Sequence, residues 1–221
     1  MKIHFITYSD KKYQEQQIKL DTLAKNFFIL HSYDREWLIT TDFYHNNKSI
    51  LDLERGGGYW LWKPFIILET LNKMEYDDVL FYLDCGDIFE NGLFDFLKNY
   101  FKDKTINSLL TYGGSNKQRW YTKRDTFILM DCDNEKYYEH LQLEAGMVCL
   151  RKTDEIIDII NEWLTYCSNQ NIITDIENIT GPNLEGFIDH RHDQSVLTNL
   201  SIKYNLNINN LLRQYITCNV N

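Results

Sequence analysis

Asp84 and Asp87 follow directly on an unbroken apolar run, Val79-Leu80-Phe81-Tyr82-Leu83. Two carboxylates this close on one turn repel each other unless a cation or hydrogen-bond donors satisfy them. A hard divalent ion such as Mg2+ or Mn2+ takes such oxygens and bridges them to a diphosphate. Upstream, Arg55-Gly56-Gly57-Gly58-Tyr59-Trp60-Leu61-Trp62-Lys63-Pro64 places a cation on either side of a glycine run and three aromatic rings. Guanidinium and ammonium groups suit phosphate, and aromatic faces suit a sugar or a base. The glycines match neither a P-loop nor a G-x-G-x-x-G turn. The plainer alternatives are a flexible loop and, for Trp60 or Trp62, a place in the core.

The later candidates are more dispersed. Residues 117–124 carry Lys117, Arg119, Lys123 and Arg124 without an acid among them; such a run is either a solvated face or a means of holding an anion. His190 and His192 stand two apart beside Asp193 and Gln194, so on extended backbone both imidazoles face one way and one could complete a metal site with Asp84 or Asp87. Gln142 and Glu144 repeat that spacing just before Gly146 and could both point into a cleft. No G-x-S-x-G accompanies a Ser-His-Asp set and no H-E-x-x-H is present, which argues against a serine hydrolase and a zincin.

These residues need a scaffold, and the hydrophobic pattern predicts one. Residues 2–8 read as a strand, 13–26 as a helix with Ile18, Leu23 and Ala24 on one face, and 27–31 as a second strand. Asp34 caps a short helix. Pro64 opens a helix to about residue 74 with Ile67, Leu68 and Leu71 inward, and Val79-Leu80-Phe81-Tyr82-Leu83 forms a central strand. Further strands at 108–112 and 146–150, a helix at 154–163 carrying Ile156, Ile157, Ile159 and Ile160, and a helix starting near Ser195 complete an α/β pattern. Asp84 and Asp87 then sit at a strand's C-terminal edge, where open α/β sheets bind ligands.

Composition narrows the class. The 221 residues carry 32 acids against 23 Lys and Arg, a formal charge of −9 that disfavours nucleic acid and anionic membranes. No run of apolar residues is long enough to span a bilayer and no signal h-region opens the chain, so a cytoplasmic, soluble protein is expected. Five scattered cysteines without a C-x-x-C pair support neither a disulfide scaffold nor a zinc ribbon.

Taken together, the block from Arg55 to Pro64 and the block Leu80-Phe81-Tyr82-Leu83-Asp84-Cys85-Gly86-Asp87 resemble the small GT-A-type glycosyltransferases of capsule and surface-glycan assembly in bacteria and large DNA viruses. Trp120-Tyr121-Thr122-Lys123-Arg124-Asp125, Gln142-Leu143-Glu144-Ala145-Gly146 and His192-Asp193-Gln194-Ser195 look like later blocks of the same pattern, so that the likeness spans most of the chain. The resemblance implies one Rossmann-like GT-A domain with a mostly parallel central sheet flanked by helices. Its first half, residues 1–113, would bind a nucleotide-sugar, commonly UDP-linked, and residues 114–221 would shape the side of the glycan or glycolipid acceptor.

By the same resemblance, Thr7 and Tyr8 border the nucleoside, with Tyr8 stacking on the base. Arg55, Trp60, Lys63, Asp84, Lys123, Gln142 and Gln194 hold the donor, and Glu144, Asp193 or Asp125 supplies the carboxylate near the anomeric carbon. Gly86 stands where the family's second acid is usual, which leaves Mn2+ or Mg2+ to Asp84 alone, or to Asp84 with Asp87 and a histidine, His192 or His190. Two rivals belong to other classes: a carbohydrate-binding module or inactive homologue, and a nucleotidyltransferase. The second lacks a Gly-rich basic signature after the first strand.

Overall fold

In a computed structural model of the chain, residues 1–103 and 108–218 are described. The apolar, β-branched opening forms β1 (Ile3–Ser9), all seven residues buried, and the Val79 run forms β3 (Val79–Leu83), buried throughout. Between them lie α1 (Gln14–Ala24), β2 (Ile29–Asp34) and α2 (Trp62–Lys73). After β3 come β4 (Asp87–Phe89), α3 (Leu93–Tyr100), β5 (Ser108–Lys117), β6 (Leu141–Arg151), α4 (Asp154–Cys167), α5 (His192–Lys203), β7 (Asn207–Asn209) and β8 (Ile216–Cys218).

Six strands make the main sheet in the order β2-β1-β3-β6-β5-β7, and β4 pairs with β8 apart from it. β1 runs parallel to β2 and β3, and β5 runs parallel to β7; β6 alone is antiparallel to both of its neighbours. The expected α/β fold with a mostly parallel sheet is therefore present, with β6 making the sheet mixed. One core layer on α2, α4 and α5 buries Leu80, Tyr82, Val148 and Trp163, and the opposite layer on α1 and α3 buries Phe5, Phe81, Met147 and Leu97. No helix among the described residues is long and apolar enough to cross a membrane.

Several local expectations shift. Ile18 is 58% exposed, and the inward face of α1 is Gln17, Leu20 and Ala24. Gln17 is buried because its amide donates to Thr7 Oγ1 and the Tyr33 carbonyl while accepting from Ser9. β2 starts at Ile29 because Phe28 N still donates to the Ala24 carbonyl at the end of α1. β5 extends to Lys117 with register shifts near its glycines, where a Cβ on Gly114 would lie 3.0 Å from the Gln142 carbonyl. Helix α4 is capped as its sequence asks, Thr153 accepting from Ile156 N at 3.2 Å. Helix α5 begins at His192 rather than Ser195 and is almost wholly buried. Three of its buried polar side chains are satisfied by remote partners: Thr198 accepts from Leu143 N, Asn199 from the Gln118 amide, and Ser195 donates to the Tyr121 carbonyl.

Candidate active site

The glycine run proves to be a folding element. Gly56, Gly57 and Gly58 all have positive φ, and a Cβ on Gly58 would lie 2.5 Å from Leu51 Cα. This coil delivers Trp60, which packs against Gly56 and stacks on the His192 ring. Trp62 stacks on Tyr8 with ring centroids 3.8 Å apart. Tyr8, 7% exposed beneath Trp62, offers no free face to a base, which corrects the stacking role expected of it. Burial also pushes the Tyr8 hydroxyl above its ordinary pKa.

Pro64 in the first turn of α2 fixes Lys63 beneath the C-terminal edge of β3. Its ammonium donates to the Ala145 carbonyl at 2.9 Å and lies 3.5 Å from Asp84 Oδ1 and 3.3 Å from Asp193 Oδ2. Burial alone would lower the Lys63 pKa; the Asp193 and Asp84 carboxylates outweigh it and raise it. Asp193 is pushed up to about 6, by burial first and by Asp84 as well, against the pull of Lys63. The Asp84 side chain remains 40% exposed, and Tyr82 donates its hydroxyl proton to Oδ1. Oδ2 is turned toward Gly146, where a Cβ would lie 3.0 Å away.

A cleft of about 150 Å³ opens over these groups. It is lined by Arg55, Trp60, Lys63, Asp84, the Ala145-Gly146 backbone, and the run Arg191, His192, Asp193 and Gln194. Seven of the expected site residues thus meet, from both sides of Gly113. Gln194 is fixed by accepting from Ala145 N and donating to Gln142 Oε1. Gln142 lies one layer behind, its amide donating to Ser195 Oγ. Arg191 was not among the expected residues; its place between the two histidines was the available signal. It packs over Tyr121 and lies 3.9 Å from Asp189.

Other expected residues are committed elsewhere. Thr7 is fully buried, donating to Asp21 at 2.7 Å and accepting from Gln17, so it does not border a nucleoside. Lys123 is buried and donates to the carbonyls of Thr174 and Ile176, which removes it from the donor-binding set. The rest of the basic segment pairs with protein acids, Lys117 and Arg119 with Glu139 and Arg124 with Asp133.

Asp125 accepts from Ile179 N, Thr180 N and the Thr180 hydroxyl, and so clamps a loop rather than facing the cleft. Burial would raise its pKa, but these hydrogen bonds win and hold it below the usual carboxylate range. Glu144 does not line the cleft; its pKa is raised by burial, eased by Arg213 and raised further by Asp87. Arg55 reaches the rim with its guanidinium already paired to Asp175 and Asp189, each at 2.9 Å.

Of the two expected histidine ligands, His190 is spent on the backbone, whereas His192 keeps one ring nitrogen, Nε2, without a hydrogen-bond partner. His190 has both ring nitrogens within hydrogen-bond distance of backbone, Nδ1 to Lys123 N and Nε2 to the Ile172 carbonyl. His192 directs Nδ1 to the Ile173 carbonyl. Among the described residues no three His, Cys, Asp or Glu side chains gather as a metal cage. What does fit is a hard ion held at one protein carboxylate, with waters and phosphate oxygens as its remaining ligands. Asp84 has the chemistry for it, its side chain 40% exposed at the cleft and its Oδ2 close against Gly146.

No protein-family model matches the sequence, and no curated protein matches it. Solved structures do resemble its fold. The bifunctional glycosyltransferase WbbM is similar over 90% of this chain and 37% of its own length, with 9% identity and a TM-score of 0.50. Mouse xyloside xylosyltransferase 1 is similar over 96% of this chain and 85% of its own, with 11% identity and a TM-score of 0.48. The galactosyltransferase LgtC is similar over 89% and 70%, with 14% identity and a TM-score of 0.43. The fold is of the GT-A type.

Proposed function

We propose that the chain is a glycosyltransferase that moves a hexose or amino-sugar from a nucleoside diphosphate, UDP being the first candidate, to a hydroxyl of a glycan or glycolipid. One observation carries this reading: at the C-terminal edge of parallel strands, an outward carboxylate, Asp84, is backed by a buried ammonium, Lys63, inside a concave cleft. The GT-A fold, shared with WbbM, supports it.

In such a transfer the bond from the anomeric carbon to the phosphate oxygen breaks, and its electron pair leaves with the diphosphate. The acceptor oxygen bonds to that carbon and gives up its proton, which is released with the nucleoside diphosphate. Lys63 and Arg191 supply positive charge near the leaving group, and Asp193 lies 3.3 Å from the Lys63 ammonium in the cleft. Mn2+ or Mg2+ held by Asp84 would supply further charge stabilisation for the diphosphate. A non-catalytic carbohydrate-binding module fits less well, because Tyr8, Trp60 and Trp62 are packed on other groups of the protein.

The test is release of nucleotide from a panel of nucleotide sugars with Mn2+. Wild type is expected to turn over at least one of them. Asp84→Ala is expected to keep its unfolding temperature and lose about a hundredfold or more of that rate. Full activity in the variant would remove Asp84 from the mechanism, and inertness of wild type toward every donor would remove the reading.

A further inference from the structure

A second cavity, of about 390 Å³, lies at the opposite edge of the sheet from the cleft. Ile3 and Ile29, the first residues of the parallel strands β1 and β2, both line it. The cleft sits where the strands end, and β1 alone puts about 20 Å between the two edges. The cavity therefore stands apart from the nucleotide-sugar reading, and it has the size of a small-molecule site.

Its walls are apolar. Phe28, 7% exposed, meets Phe94 edge-on with ring centroids 5.4 Å apart. Phe27 lies 6.4 Å from Phe94 yet stays 43% exposed, and Ile29 is 41% exposed. One exposed apolar residue needs no explanation, but several gathered round one hollow mark a place of contact.

Its rim is cationic. Phe94 and Lys98 stand four apart on α3 and so share a face. Lys98, Lys2 from the start of the chain and Lys25 from the end of α1 all line the cavity and are exposed, and no acid lines it. Among the described residues no ion pair engages these three ammonium groups, whereas Lys117, Arg119 and Arg124 are each paired with an acid. In a chain with 32 acids against 23 Lys and Arg, three unspent cations round an acid-free hollow are a local reversal of charge.

We infer that this cavity binds an anionic amphiphile, an alkyl chain ending in a carboxylate or a phosphate monoester. The chain lies against Phe27, Phe94 and Ile29, and the head lies among Lys2, Lys25 and Lys98. Burial of the chain supplies the affinity, and the ammonium groups select the head. A bare anion would leave the rings in water, and a neutral chain would leave the cations unused. A bilayer meets a protein across a plane, whereas a hollow with cations at its rim encloses a single chain.

Calorimetric titration of the whole chain tests this, with decanoate, decyl phosphate, their six-carbon counterparts and decanol, each below its micelle concentration. A buried methylene is worth about fourfold in affinity. Wild type is expected to bind at least one ten-carbon anion about tenfold or more tighter than its six-carbon counterpart and than decanol. Lys25→Glu and Phe27→Ser change exposed positions, so each is expected to keep its unfolding temperature and to weaken that binding about fivefold or more. Failure of both ten-carbon anions to bind, equal binding of decanol, or undiminished binding in both variants overturns the inference.

Amide spectra of wild type answer the question without a variant. Resonances of residues 25–29 and 94–98 are expected to move on adding the bound anion, and those of residues 191–194 to stay in place. Movement confined to the cleft overturns the inference. So does pelleting of the protein with phosphatidylglycerol vesicles when neither free anion binds, since the face would then be a bilayer contact.

Discussion

The Lys63 ammonium lies 3.3 Å from Asp193 Oδ2, and both side chains are almost entirely shut off from solvent. A pair in that position is costly to assemble and costlier to break, because removing one member strands the other's charge in a poor dielectric.

Lys63→Met keeps most of the aliphatic stem and deletes the charge. At pH 7 the variant is expected to lose about 3 kcal/mol or more of unfolding free energy, measured by urea denaturation against wild type. The deficit shrinks toward pH 5, because Asp193, already pushed up to about 6 with Lys63 present, then takes up a proton. A deficit that stays constant between the two pH values would locate the loss in packing instead.

Asp125→Ala removes the acceptor of three hydrogen bonds from residues 179 and 180. The expected loss is about 3 kcal/mol of stability, together with faster proteolytic cleavage between residues 174 and 191. Nucleotide affinity, measured at a temperature where the variant is folded, is expected to match wild type. A selective loss of turnover with unchanged stability would return Asp125 to the reaction.

His31 gives the fold a pH dependence far from the cleft. Its ring stacks on His4 at 5.1 Å, its Nε2 lies 2.8 Å from His4 Nδ1, and burial lowers its pKa to about 4. Between the ordinary histidine value of 6.5 and about 4, the unfolded chain binds a proton that the folded one does not, so stability falls as pH drops through that window. The contribution present at pH 7 and lost by pH 4.5 is on the order of 2 kcal/mol, allowing for the half-buried ring. His31→Phe is expected to show a correspondingly smaller difference between urea denaturation at pH 7 and at pH 4.5. Equal differences in the two proteins would exclude His31 as the source.

The parts legible in sequence were those encoded by near neighbours in the chain. Val79-Leu80-Phe81-Tyr82-Leu83 could hardly be anything but an inner strand, and Pro64 announced the helix that carries Lys63. Together they placed Asp84 at the C-terminal edge of the central strand. The polar residues misjudged were those with remote partners. Lys123 donates to residues 174 and 176, Asp125 accepts from 179 and 180, and His190 bonds to 123 and 172. Each has the side chain of a catalyst and the work of a loop fastener, and only the fold tells the two apart. Arg191 was overlooked because its histidine neighbours drew the metal reading. Helix α5 blurred at its start because its buried face is polar, so periodicity gave no sharp signal there.

The lone reversed strand has a consequence for how the chain is made. Until β6 is synthesised, β3 leaves the ribosome with one flank of its backbone unpaired and five fully buried side chains awaiting cover. A nascent or truncated product ending before residue 141 would carry an open, sticky β edge, and it is there that self-association of incomplete chains would begin.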